Sequence, residues 1–155
     1  MSISGIALAT YYPLIAGIFG MLSAQGLKMV IGCIKNRRID LSPFTNPGGM
    51  PSSHTAMVTA LSCAVGLQEG WNSPAFAISV IFSLIVLYDA AGVRYAAGKQ
   101  AVVLNKIQEI MLEKGQLDGL RLKETLGHTK QEITVGVLIG IAVSLIVKLL
   151  IMRGL

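Results

Sequence analysis

The sequence predicts an all-α fold, a polytopic membrane helix bundle of about four transmembrane spans plus interfacial helices, within a single membrane domain covering residues 1–155. Three observations predict it. The chain is 53% hydrophobic and only 14% charged, with a mean hydropathy of +0.66, too few polar groups to cover a water-soluble globule of this size. Its apolar runs are long and are separated by shorter polar segments. Its basic residues also cluster on one side of the spans those runs define. A soluble α/β enzyme and a disordered chain are thereby excluded.

Residues 3–34 are almost continuously apolar and would extend about 48 Å as one helix, against a hydrocarbon core of about 30 Å. Pro13 suits a first helical turn, so an interfacial start with Tyr11 and Tyr12 in the aromatic belt and a span over 13–34 are expected. The segment 35–53, rich in Pro, Gly, Asn and Ser, reads as a loop. A second span over 53–71 is rich in small residues (Ala56, Thr59, Ala60, Ser62, Cys63, Ala64, Gly66), which suits the centre of a bundle. The turn QEGWNSP puts Trp71 at the opposite interface, and 74–94 forms a third span of about 31 Å. A polar surface loop, 95–127, carries an amphipathic surface helix over 99–113 with Val103, Ile107, Ile110 and Met111 on one side. The fourth span is 128–152. The N-terminus lacks a basic n-region, so no cleaved signal peptide is expected.

This threading puts eleven basic residues on the side of the two long loops and leaves Lys148 and Arg153 opposite. The positive-inside rule then makes the loop side cytoplasmic and puts both termini outside, in an integral protein of a bacterial cell membrane. The net charge of +5 follows from such basic loops and calls for no nucleic-acid partner. Cys33 and Cys63 lie within apolar runs without ligand spacing and read as packing residues, so no metal site is implied.

The residues that do not belong in a bilayer converge on the loop side. His54 and His128 open spans, Lys28 lies two turns before the end of span one, and Asp89 and Arg94 lie at the end of span three. Ionisable groups at membrane depth are costly and mark functional sites by default, although helix-end Lys and Arg also snorkel. Glu132, Gly136 and Gly140 follow His128 at steps of four, so Glu132 is expected to touch the His128 ring and fix its tautomer. The glycines also form a GxxxG packing seam. GGMPSSH, with Gly49, Ser52 and Ser53, offers helix N-terminal N–H groups and hydroxyls as an anion cradle. With Lys28, Arg37, Arg38 and Arg94 nearby, a tetrahedral oxyanion matches these groups best.

The strings GGMPSSHTA, YDAAGVRYAAGKQ and LKETLGHTKQE resemble the type 2 phosphatidate phosphatase superfamily, which includes vanadium haloperoxidases, and in particular its small divergent membrane branch, over residues 20–145. The superfamily pattern is K-x6-R-P, then P-S-G-H, then S-R-x5-H-x3-D. Here PSSH occupies 51–54, and Arg94 and His128 are 34 positions apart. Glu132 replaces the aspartate, and Lys28 is followed by Arg37 and Arg38 nine and ten positions on rather than by an R-P pair.

The resemblance implies a metal-independent, cofactor-free and vanadate-sensitive hydrolase acting on a phosphorylated lipid or other phosphate ester. A lipid phosphate or diphosphate, polyprenyl ones included, is its expected substrate. His128 would attack phosphorus to give a phosphohistidine, with Glu132 orienting it. His54 would protonate the leaving oxygen and then activate water. Lys28, Arg37 or Arg38, Arg94, Ser52 and Ser53 would bind phosphate, with Asp89 and Gly49 supporting. The alternative is a non-catalytic phosphate- or headgroup-binding protein, or a small transporter subunit. The small-residue seams also suit a homo-oligomer.

Overall fold

A computed structural model of the chain describes residues 10–36, 49–113, 122, 124 and 126–153. They form α1 (Tyr12–Asn36), α2 (Ser53–Glu69), α3 (Pro74–Tyr88), a π-helical segment (Asp89–Val93), α4 (Arg94–Glu113) and α5 (Lys130–Met152), and no strand occurs among the described residues. Three of the described helices are long and apolar enough to cross a membrane: Tyr12–Ile34, Pro74–Leu112 and Lys130–Met152. The fourth, α2, has 17 residues and packs against α1, α3 and α5.

The small side chains of α2 decide this arrangement. Ala56, Ala60 and Ala64 are fully buried, and glycines on both flanking helices let backbones come close. A Cβ at Gly140 of α5 would stand 2.6 Å from the Ala56 carbonyl oxygen, and one at Gly20 of α1 would stand 2.8 Å from the same atom. A Cβ at Gly136 would stand 2.8 Å from the Ser52 carbonyl oxygen. Between apolar helices in lipid, such close packing replaces the hydrophobic effect as the source of association. Serines add interhelical hydrogen bonds: Ser62 Oγ donates to Ser79 O at 2.9 Å, and Ser83 Oγ donates to Val58 O at 3.0 Å.

Tyr12 departs from expectation. It is 4% exposed, and its hydroxyl donates to Ser144 O at 2.9 Å. Because α1 and α5 run antiparallel, the start of one lies beside the last turns of the other, where a buried phenol finds a partner. Tyr11 does stay exposed. At the same end, Lys148 Nζ donates to Leu67 O at 3.1 Å, satisfying a carbonyl in the last turn of α2.

The third helix does not end at residue 94. Pro74–Leu112 is one run of 39 residues, about 58 Å long, and so far exceeds the hydrocarbon core of about 30 Å. The polarity change after Arg94 marks where apolar surroundings end. It does not mark the end of the helix, since the stretch that follows has no proline and its single glycine, Gly98, costs a helix only about 1 kcal/mol. The chain then doubles back along α4. Asn105, 4% exposed, donates through Nδ2 to Leu122 O at 2.9 Å and to Glu124 Oε1 at 2.7 Å, while its Oδ1 accepts from Leu122 N at 2.9 Å. Gly98 allows this return, because a Cβ there would stand 2.6 Å from Leu126 O.

Filling the glycine seam should therefore loosen the bundle. Gly140→Val is expected to lower the thermal unfolding midpoint in detergent, at an overpacking cost of about 1–3 kcal/mol. Gly26→Ala, which meets nothing within 4 Å and replaces a helix-interior glycine, should not lower the midpoint.

Candidate active site

Four segments deliver the polar residues to one end of the bundle. Ser52 caps α2: its Oγ accepts from Thr55 N at 3.4 Å and from Thr55 Oγ1 at 2.9 Å. Thr129 caps α5 in a capping box with Glu132, whose Oε2 accepts from Thr129 N at 2.8 Å. The two helix starts are tied together, because Ser52 N donates to Glu132 O at 3.2 Å. Helices of 17 and 23 residues thus point their N-termini into one region, and helix N-termini favour an anion.

The π-helical segment supplies the third wall. In an α-helix, residues five apart diverge by about 140° around the axis, whereas π register brings them to one face. Asp89 and Arg94 consequently form an ion pair. Ala90 O in the same segment accepts His128 N at 3.0 Å. Gly127 makes that approach practicable, with φ +89° and its backbone lying directly against Arg94 and Tyr95. A side chain there would face both backbone strain and overlap. Where the return toward His128 is described, Leu122 meets Asn105, Leu126 meets Gly98 and Gly127 meets Arg94 and Tyr95, an antiparallel course that brings His128 beside Arg94.

His54, Asp89, Arg94 and His128 line one cavity of about 330 Å³ together with Met57, Val58, Phe82, Ile85, Val86 and Ala90. Four of its ten lining residues are polar, with the charges of Asp89 and Arg94 offsetting each other, and the remainder are apolar. Neighbours of the apolar wall, Ile81 and Leu84, are exposed at 59% and 56%. Lys28 stands behind the site: it is 8% exposed, and its stem runs beside Gly49, where a Cβ would stand 3.8 Å from Lys28 Cδ. Gly49 has φ +84°, so the chain turns over the lysine at a position that favours glycine.

Two sequence-based roles need correction. Glu132 is not hydrogen-bonded to the His128 ring, because an i, i+4 contact requires both residues inside the helix. The helix starts at Lys130, His128 precedes the cap, and the Glu132 carboxylate turns back to Thr129 N. The buried Nδ1 of His128 has no hydrogen-bond partner among the described residues. Ser52 was expected to bind phosphate, yet it is fully buried and its hydroxyl serves the α2 cap. Ser53 is 7% exposed and does not line the cavity. Arg37 and Arg38 lie outside the described residues.

Sequence reasoning missed Asn105 and the apolar cavity wall. Gly98 was the available signal for the first, since a glycine inside an otherwise Ala-rich helical stretch implies a close backbone approach. Nothing in the periodicity of 74–94 marks which face of that helix lines a cavity. No group of three or more His, Cys, Asp or Glu residues suited to a metal ion occurs among the described residues.

His128 precedes the Lys130–Met152 span, and burial, above all, holds its ring below the ordinary imidazole value of 6.5. Lys28, His54 and Arg94 act in the same sense, and Glu132 opposes them. The neutral ring keeps a lone pair near neutral pH, as a nucleophile requires.

The chain matches a family model described as the Divergent PAP2 family over residues 9–143. A relative described as the uncharacterized membrane protein YuiD of Bacillus subtilis (strain 168) is 40% identical over 150 residues, covering 90% of this chain and 95% of its own length. No solved structure matches the chain.

The electrostatics of His128 have a consequence for stability. A base whose folded pKa is depressed binds fewer protons folded than unfolded, so stability rises with pH across that window and is lost on acidification. The unfolding midpoint in detergent should fall as pH drops below 6.5, and His128→Asn should make that fall shallower.

Proposed function

Since the chain belongs to the divergent PAP2 family, we propose that it is an integral-membrane phosphatase that hydrolyses a lipid phosphate or diphosphate through a phosphohistidine. The observation that carries this reading is the composition of a single cavity: His54, His128 and an Arg94 paired with Asp89 form its polar wall, and Met57, Phe82, Ile85 and Val86 are among its apolar lining. A phosphate on an apolar chain matches both parts at once. In the first step a ring nitrogen of neutral His128 attacks phosphorus and the P–O bond to the leaving group breaks. The leaving oxygen takes the proton of His54. Neutral His54 then removes a proton from water as that water attacks phosphorus, breaking the P–N bond and releasing phosphate. Arg94 and Lys28, with the N-termini of α2 and α5, offset the charge on the equatorial oxygens.

The site faces the cytoplasm in this reading, with both termini on the other side. Support comes from the charge asymmetry of the sequence: its threading assigns eleven basic residues to the loop side against two opposite, and seven against two remain when the four cations that serve the site are set aside. A second reading, a phosphate- or headgroup-binding protein without turnover, is favoured by the His128 Nδ1, which no carboxylate among the described residues orients.

Phosphate release from a panel of monophosphate and diphosphate lipids tests the proposal. Wild type in detergent should release phosphate and His128→Ala should not. His54→Ala should lose about 10²–10⁴-fold, and Arg94→Gln about 10²–10³-fold. Folded wild type that binds phosphate yet releases none above the His128→Ala background would establish the binding protein instead.

A further inference from the structure

Resting on the phosphatase reading, we propose that Asp89 is a placeholder for substrate: its carboxylate holds Arg94 at the cavity until phosphate replaces it, and the freed carboxylate then pairs with His54. Asp89 and Arg94 share one face only because the segment Asp89–Val93 is π-helical, and both line the cavity with His54 and His128. Their side chains are 40% and 54% exposed, and an ion pair that open to solvent contributes little. A phosphate, which offers the guanidinium a fork of charged oxygens, displaces it readily.

Displacement leaves a carboxylate in a cavity whose other titratable walls are His54 and His128, and of the two rings it is His54 that feels the Asp89 charge. The charges facing that ring are Arg94 and Asp89 from the α3–α4 helix, Lys28 from α1 and His128 ahead of α5. Asp89 is the acid among them, since Glu132 is engaged with Thr129 N. Binding of phosphate thereby cancels one cation near His54 and frees one anion, and both changes favour the protonated ring that donates to the leaving oxygen. One ion pair, Asp89–Arg94, is exchanged for two, phosphate–Arg94 and Asp89–His54, and the proton that charges the His54 ring is taken up from solvent.

The test is a double-mutant cycle on the full-length protein in detergent, with inorganic phosphate as the probe and calorimetry as the readout. Asp89→Asn should bind phosphate about two- to five-fold more tightly than wild type, the gain expected from removing a weak competing pair. In an Arg94→Gln background the same substitution should give no gain. Equal tightening in both backgrounds would show bulk repulsion and overturn the proposal, as would no tightening in the Arg94 background. Asp89→Ala repeats the cycle without an amide that could still bond Arg94.

Turnover supplies the readout for His54. A general acid works protonated, so activity falls as pH rises past its titration. In wild type the alkaline limb of kcat, which reports the substrate complex, should lie at higher pH than that of kcat/KM, which reports free enzyme. Bound phosphate itself keeps part of this gap, so Asp89→Asn should narrow it, and an unchanged gap would overturn the pairing with His54. Wild type that binds no phosphate and releases none from any lipid would instead remove the phosphatase reading. Binding without turnover would remove hydrolysis alone and leave the phosphate cycle to decide the placeholder role.

Discussion

The close approach of the α2 backbone to its two neighbours is the constraint on which the site depends. Gly20 of α1 and Gly140 of α5 both approach the Ala56 carbonyl, and Gly136 approaches that of Ser52. With helices held this near, the N-terminus of α2 comes level with that of α5, and Ser52 N bonds to Glu132 O. Bulkier side chains at these positions would separate the two helix starts. His54 and His128 would then no longer face one cavity.

Residues that look chemical in the sequence turn out to divide into those that hold the frame and those that face the cavity. Ser52, Thr129 and Glu132 satisfy orphan N–H groups at helix starts, a necessity at a membrane boundary where unpaired backbone groups are costly. His54, Asp89, Arg94 and His128 are left to line the cavity. The capping residues still act on the chemistry indirectly, since they fix where the first N–H groups of each helix point.

Arg94 and His128 stand far apart in sequence and yet line one cavity. An amphipathic helix and a returning segment separate the two residues in sequence, and three devices close the gap. Asn105 bonds the returning backbone in the manner of a strand partner. Gly98 and Gly127 let two backbones touch. The π-helical segment presents Ala90 O to His128 N and turns Arg94 toward Asp89. A single wide helical turn thus serves both the placement of His128 and the orientation of the cation beside it.

The sequence by itself determined the membrane class, the apolar spans, the small-residue character of the central helix and the side on which the polar residues gather. Hydropathy and composition act locally, and the glycine spacing of 136 and 140 announces a packing face before any partner is known. The resemblance carried by PSSH, Arg94 and His128 likewise needed no coordinates. What only the tertiary structure decided were the facts that depend on register between helices. These are the burial of Tyr12 against Ser144, the continuation of the third helix beyond Arg94, the use of Glu132 as a cap, and the cavity wall of Phe82, Ile85 and Val86. Helical periodicity gives the relative angle of two residues on one helix, but the start of that helix sets whether both belong to it. A cap formed at Thr129 therefore moved His128 out of reach of Glu132, and a π register at Asp89 moved Arg94 into reach of Asp89.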